Sequence, residues 1–332
     1  MKKSDVKVLV ITGFGLNCEK ETAAACKLVG ATPELVHLND LIAGKHTLDE
    51  YHFLTFIGGF SFGDHLGSGT VFANRVKFQL REQLQKFVDD GKLVIGICNG
   101  FQTLTRLGMV PALDGNYFEQ KVALAHNDSG VFRDDWCILK ADPQSPCVFT
   151  RNMDQVRLPL RHGEGKFVAD PEILAEIEAK HLAAVRYVNA DGTPATEFPA
   201  NPNGSLNSIA GICDPTGRIF GLMPHPEAFL SPFNSPTWTQ DKADGKLAAE
   251  GEGVVFFRNA IDYIEDLFSE MSAMQMLLRL TGTLMGLALV LFILYLVVGI
   301  VKPRSPVIVK INDTAKKMEK ASKKNKKNGG ST

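Results

Sequence analysis

The nine residues Val94-Ile95-Gly96-Ile97-Cys98-Asn99-Gly100-Phe101-Gln102 constrain this chain more than any other stretch. A short apolar run ends in Gly-x-Cys-x-Gly, and a helix-forming sequence begins at once. A strand that turns so tightly into a helix needs small residues flanking the turn, which lifts the central side chain above the sheet. The same turn sets that side chain at a helix N-terminus, where positive potential favours an anion such as a thiolate. The sequence around it alternates in the matching way. Val6 to Thr12 is a β-branched run ended by Gly13 and Gly15, and Cys18 to Val29 reads as a helix stopped by Gly30. Glu34 to Leu38, Phe53 to Ile57 and Leu93 to Ile97 read as further strands, with one long amphipathic helix predicted from about Val71 to Asp89, closed by Gly91. Strands alternating with helices imply an α/β fold around a parallel sheet.

From about Gln120 to Met223 the texture changes to short apolar runs broken by Asn, Asp, Gly and Pro, with a helix predicted at Pro171 to His181. An added, more antiparallel β layer is expected there. Glu252 to Phe268 then reads as a closing helix, with Val254, Val255, Phe257, Ile261, Ile264 and Leu267 or Phe268 near helical spacing. The expected organisation is a domain over 1–268, a linker over 269–279, a transmembrane helix over 280–301 and a basic, disordered tail over 302–332. The span is expected because Leu280 to Val301 holds 22 residues without a charge, against the ~20 needed to cross a bilayer. It would bring membrane association through 280–301. The tail holds ten Lys or Arg against Asp313 and Glu319, so the net charge of −1 leaves about −9 on the remainder.

The cysteine at the turn has candidate partners. In Pro224-His225-Pro226-Glu227, a residue before proline is pushed to extended geometry, and residues two apart in an extended segment face one way. Glu227 can then orient the His225 imidazole as the base for a Cys98 nucleophile. Gly58-Gly59-Phe60-Ser61-Phe62-Gly63-Asp64 follows a predicted strand, and glycines there let backbone N–H groups approach a ligand, as an oxyanion hole requires. A structural cysteine on a tight turn and an ordinary glycine turn are the competing readings. The six cysteines show no metal-ligand spacing, and no secretory signal precedes them, so a reduced, cytoplasmic setting is expected. No phosphate loop, dinucleotide fingerprint or metal set is present, and nothing argues for nucleic acid.

Gly58 to Asp64, Gly96 to Gln102, Asn127-Asp128-Ser129, His162-Gly163-Glu164-Gly165-Lys166-Phe167, Asn201-Pro202-Asn203-Gly204-Ser205 and Met223 to Glu227 occur in a distinctive order. In this the chain resembles the glutamine amidotransferase subunits of phosphoribosylformylglycinamidine synthase, over roughly residues 6 to 266. The resemblance implies a flavodoxin-like class I amidotransferase sandwich. It implies Cys98 as nucleophile, His225 as base and acid and Glu227 as its orienting partner. Oxyanion or substrate contacts are implied at Gly58, Gly59, Asn99 and Gln102, with donors at the Gly59 and Asn99 backbone. His162 and Glu164 would lie at the active-site periphery or a synthetase interface. Phe62 stands where the family often has Tyr, and Ala228 where Arg commonly follows.

The reaction so implied releases ammonia from glutamine and hands it to a synthetase subunit, which converts formylglycinamide ribonucleotide to its amidine. No cofactor is expected in this chain, because ATP and magnesium would bind the synthetase; a small third subunit would complete the assembly. The match begins near Met1, which reads as a stand-alone subunit. Two alternatives remain at this level: a membrane-anchored regulatory or scaffold protein that keeps the fold, and a class I amidotransferase serving another acceptor.

Overall fold

A computed structural model describes residues 2–268 of the chain. The chain divides into two units, Met1–Phe268 and Ser269–Thr332, and the described residues lie in the first. Its strands are β1 (Lys7–Thr12), β2 (Thr32–His37), β3 (Phe53–Phe56), β4 (Leu93–Ile97), β5 (Val122–Ala125), β6 (Arg133–Ala141), β7 (Gln155–His162), β8 (Lys166–Ala169), β9 (Val185–Val188), β10 (Ile209–Cys213) and β11 (Ile219–Leu222). The helices are α1 (Glu19–Leu28), α2 (Leu38–Ile42), α3 (Thr70–Gln79), α4 (Arg81–Asp89), α5 (Asn99–Leu107), α6 (Pro171–Ala179), α7 (Trp238–Ala243) and α8 (254–268).

One sheet runs in the order β2-β1-β3-β4-β11-β10-β9-β6-β7. Neighbours from β2 to β11 are parallel, and those from β11 to β7 are antiparallel. The parallel half explains the unbroken apolar runs in the sequence. Val8, Leu9, Val10 and Ile11 of β1 and every residue of β3 and β4 are buried, as expected for strands covered on both faces. α8 closes the core with Val254, Phe256, Phe257, Ala260, Ile261 and Ile264. Phe256 stacks on Phe220 of β11, Phe220 on Phe149, and Phe149 lies against Phe53 of β3. This aromatic column ties the last helix to strands far apart in sequence.

Three sequence expectations are corrected. The strands from 120–223 do not build a separate layer: β6, β7, β9 and β10 extend the main sheet, and only β5 and β8 pair apart from it. Hydrophobic alternation reports a half-buried strand but not which edge it joins, so the sequence could not distinguish the two. The single helix over Val71 to Asp89 is two, α3 and α4, broken at Leu80 (φ −128°, ψ 9°). Leu80 is buried, and its amide and carbonyl still bond to Val76 and Leu84, so the bend loses no backbone hydrogen bond. The third correction removes the transmembrane helix from the fold class. Among the described residues no helix is long and apolar enough to cross a membrane, and the segment 280–301, with the linker and basic tail, lies outside them. An uncharged run states a solvent preference, which is not by itself an element of the fold.

Candidate active site

Four loops leave the carboxyl ends of adjacent parallel strands β1, β3, β4 and β11, and they meet where the strand order reverses about β1. Open α/β sheets bind their ligands at such a point. Cys98 sits at the end of β4 and caps α5 with φ 52° and ψ −108°. For a residue with a side chain this is a strained backbone, of a kind that costs about 1–3 kcal/mol and is kept at functional sites. Gly100 makes the turn possible, since a Cβ there would stand 1.9 Å from the Phe56 carbonyl oxygen. The strand-to-helix turn read from the sequence is thus a close contact between α5 and β3.

His225 lies 3% exposed at the end of β11, with its amide donating to the Pro159 carbonyl. Its Nδ1 pairs with Glu227 Oε1 at 2.6 Å. The pairing is not made by extended alternation, as the sequence suggested, because Pro226–Ala228 is a 3-10 turn. The turn folds the carboxylate back onto the ring. Burial disfavours the charged imidazole, but the Glu227 carboxylate and the Cys98 and Cys18 sulfurs outweigh it and raise the His225 pKa well above its ordinary value. Nε2 is buried without a hydrogen-bond partner, as is Glu227 Oε2. Cys18 and Cys98 line the same narrow cavity as His225, but neither thiol hydrogen-bonds to Nε2. The Cys98 thiol donates instead to the Arg161 carbonyl at 3.4 Å.

Asn99 links the elbow to the glycine loop after β3. Its Oδ1 accepts from the Ser61 amide at 3.3 Å, and its Nδ2 donates to Asp64 Oδ1 at 3.1 Å and to Gln102 Oε1 at 2.9 Å. Gln102 Nε2 in turn donates to the Glu164 carbonyl at 2.6 Å. Asn99 opens α5, where backbone N–H groups have no intrahelical acceptor. Gly59 lines the same cavity as Cys98 and His225. Gly58 packs so closely on this cavity that a Cβ would meet His225 Cε1 at 2.8 Å and Cys18 Sγ at 3.1 Å.

Two cavities share Cys98, Gly59, Phe60, Phe132 and Arg161. The narrow one is completed by Asn17, Cys18 and His225. The wider one, about 230 Å³, adds Asp64, Ser68, Gln102, His126, His162, Gly163 and Glu164. Burial, reinforced by the nearby Glu164 charge, raises the Asp64 pKa despite hydrogen bonds from Asn99 and Ser68. Arg161 Nε is buried without a partner. Phe60 and Phe132, about half exposed with ring centroids 6.1 Å apart, flank the opening.

The separated Asn-Asp-Ser, His-Gly-Glu-Gly and Asn-Pro-Asn-Gly-Ser segments converge behind the wider cavity. Asn127 Oδ1 accepts from His162 Nδ1 and from the Gly165 amide, while Asn127 Nδ2 donates to the His162 carbonyl. Asn203 Nδ2 donates to the Gly165 carbonyl, and Ser205 Oγ to Asn203 Oδ1. This network holds His162 inside and leaves Glu164 on the cavity wall, where its carboxylate accepts from the Ser68 amide at 3.3 Å. Burial, with the positive charge on His225, lowers the His162 pKa to about 3. A depressed folded-state value makes stability fall as pH drops below the ordinary value of 6.5, because only the unfolded chain takes up the proton. His162 is therefore expected to cost up to about 4 kcal/mol of stability on going from pH 6.5 towards 3, at about 1.4 kcal/mol per pH unit. Denaturant midpoints across that range should fall more steeply for wild type than for His162→Gln. Parallel curves would refute it.

Sequence reasoning missed Cys18 and Arg161. Cys18 caps α1 just after the β1 turn, on the strand edge that carries Cys98. That position was visible in the sequence, since both thiols follow a predicted parallel strand.

A strand-to-helix cysteine beside a buried His–Glu pair, on a parallel sheet with an antiparallel extension, is the arrangement of a glutamine amidotransferase. The model of the CobB/CobQ-like glutamine amidotransferase domain matches residues 5–264. Phosphoribosylformylglycinamidine synthase subunit PurQ of Methanococcus maripaludis is 42% identical over 264 residues, covering 77% of this chain and 97% of that one. The same subunit of Dehalococcoides mccartyi is 43% identical over 262 residues, covering 78% and 98%. A solved structure described as PurLQS from Thermotoga maritima superposes with a TM-score of 0.58 at 27% identity, over 78% of this chain and 99% of that one. The chain belongs to the family of phosphoribosylformylglycinamidine synthase subunit PurQ.

Proposed function

We propose that this chain is the glutaminase subunit of a phosphoribosylformylglycinamidine synthase, with Cys98, His225 and Glu227 as its catalytic triad. The observation that carries the reading is the buried His225–Glu227 pair, with Nε2 unpartnered, on the same narrow cavity as the elbow cysteine. Glutamine enters the wider cavity. Its α-ammonium matches the Asp64 and Glu164 carboxylates, its α-carboxylate matches Arg161, and its carboxamide reaches Cys98.

His225 takes the thiol proton as the sulfur attacks, and the Glu227 carboxylate stabilises the imidazolium that forms. The sulfur attacks the amide carbon, and the oxyanion forms towards the Gly59 and Asn99 backbone N–H groups. His225 protonates the departing nitrogen, the C–N bond breaks and ammonia leaves. Water, deprotonated by the now neutral imidazole, opens the γ-glutamyl thioester and releases glutamate with the thiol regenerated. Ammonia must then pass to the synthetase before solvent protonates it, since ammonium is not a nucleophile. The names of the relatives and of the Thermotoga assembly support a synthetase partner. ATP and magnesium belong to that partner in this reading. Six unpaired cysteines, all buried, support a reducing cytoplasm as its setting.

The test is amidine formation from formylglycinamide ribonucleotide, ATP and magnesium by the synthetase, with and without this chain. Glutamine should drive the reaction only when the chain is present, with one glutamate released per amidine. If glutamine is consumed only with a different acceptor, the chain serves another amidotransferase reaction.

A further inference from the structure

The loop that follows β3 is strained. Phe62 (φ 54°), Gly63 (φ 68°) and Asp64 (φ 54°) are left-handed in succession. Two of the three carry side chains, and such residues keep that conformation only where their surroundings over-determine it. The same loop presents Gly59, which lines the narrow cavity with Cys98. Whatever holds the loop therefore also places the Gly59 N–H.

Two seams hold it. On the α5 side the Ser61 amide donates to Asn99 Oδ1 at 3.3 Å. On the β1 side the amides of Asn17, Phe60 and Phe62 pair with the carbonyls of Gly58, Gly15 and Phe14 at 3.2, 2.9 and 2.7 Å. Leu16 and Gly59 face each other in an antiparallel bridge whose hydrogen bonds are made by these neighbours, which turns the Gly59 N–H away from the seam. The loops approach so closely at Gly15 that a Cβ there would stand 2.3 Å from the Phe60 carbonyl oxygen. Aromatic rings cover this seam from outside. Phe14 of one loop stacks on Phe62 of the other, with centroids 4.6 Å apart. The Arg75 guanidinium of α3 lies 5.6 Å from the Phe14 centroid and 5.8 Å from that of Phe62. A cation within about 6 Å of a ring centroid is attracted to the ring face, so one guanidinium fastens a ring from each loop. Among the described residues no carboxylate pairs with Arg75.

We propose that Arg75 is a positioning residue for the oxyanion hole. By clamping the Phe14–Phe62 stack it fixes the glycine loop, and with it the Gly59 N–H, against the first turn of α5. A guanidinium suits the task because it is planar, always charged and weakly hydrated, whereas a lysine ammonium is a strongly hydrated point charge. Arg75 lines neither cavity, so it acts only through the loop. Without the clamp the Gly59 donor spreads over several positions, and the oxyanion loses a bond that exists only once the sulfur has attacked. Asp64 keeps its own anchor at Asn99 Nδ2, so the contact for the glutamine α-ammonium stays in place. The role rests on reading the site as a glutaminase.

The experiment measures glutamate release by the complex of this chain with the synthetase, supplied with formylglycinamide ribonucleotide, ATP and magnesium. Wild type is compared with Arg75→Met, Arg75→Lys, Phe62→Leu and Phe62→Tyr. Arg75→Met keeps a long apolar stem and removes the cation. Its kcat for glutamine should fall about tenfold or more, short of the roughly 10²–10³-fold lost with a whole oxyanion donor. Its KM should stay within about twofold, as expected for an interaction made only in the transition state. Phe62→Leu should behave alike, Phe62→Tyr should keep the wild-type kcat because the ring face is retained, and Arg75→Lys should recover part of the loss. Arg81→Met, which takes a cation from the Phe118 ring at 4.8 Å, should leave kcat unchanged. Amidine formation from free ammonia should be equal in all variants, reporting intact folding and assembly. A kcat for Arg75→Met within about twofold of wild type overturns the clamp. So does a loss carried by KM, one shared by Arg81→Met, or one matched in the ammonia-driven reaction. If wild type itself releases no glutamate, the glutaminase reading fails and the oxyanion role falls with it. An active wild type with an equally active Arg75→Met removes the clamp alone.

Discussion

Cys98→Ala is expected to lower glutamine hydrolysis by about 10⁴-fold or more, on the scale of removing the nucleophile from a triad. The complex should still form amidine from free ammonia at close to the wild-type rate. The separation follows from the architecture, since the thiol acts only in releasing ammonia and the synthetase carries out the ligation. The variant should fold with a stability close to that of wild type. Cys98 donates only one long hydrogen bond, to Arg161, and alanine keeps the same Cβ on the same strained backbone. Glutamate release and amidine formation, measured side by side with each nitrogen source, decide the matter. If Cys98→Ala keeps its glutamine activity, the nucleophile is elsewhere, and Cys18 is the other thiol beside His225.

Gly100→Ala sets two effects of opposite sign against each other. Replacing glycine by alanine inside a helix is ordinarily favourable by about 1 kcal/mol. Here the added methyl would stand 1.9 Å from the Phe56 carbonyl oxygen and 2.5 Å from its carbon. Both atoms belong to the backbone of a buried strand and cannot turn aside, so α5 must move off β3. Overpacking of this kind costs about 1–3 kcal/mol or more, and the movement carries Cys98 with it. A net loss of about 2 kcal/mol should lower Tm by roughly 4–8 °C in a domain of this size. Misplacing the nucleophile by about 1 Å should cut glutamine turnover by roughly 10²-fold. A variant with raised Tm and full activity would show that helix propensity outweighs the contact.

The parts of this protein written in local sequence were legible before the structure. The β1 and β4 runs, the glycine stop after α1 and the Pro171 start of α6 each depend on residues within a few positions of one another, and they appear close to where they were read. The elbow was legible for the same reason, since a strand, a tight turn and a helix are consecutive. The Leu80 break was not, because no Gly or Pro marks it and the bend serves the packing of Leu80. The closing helix was found, yet Phe256, missed by its periodicity, proves fully buried. It packs in an aromatic column that spans Phe53 to Phe256, and no sequence window contains both.

For the site the division is sharper. Residue types and spacing nominated Cys98, His225 and Glu227, and the structure puts His225 Nδ1 on Glu227 and both His225 and Cys98 on one cavity. Sequence alone also carried the order of motifs that a PurQ family member must have. Only the tertiary structure brought Asn127, His162, Asn203 and Ser205 into one buried network and left Glu164 on the wall of the cavity. Only the fold set Cys18 and Arg161 beside the elbow. Those juxtapositions arise from the order in which parallel strands lie side by side, and sheet order is settled by packing among distant segments.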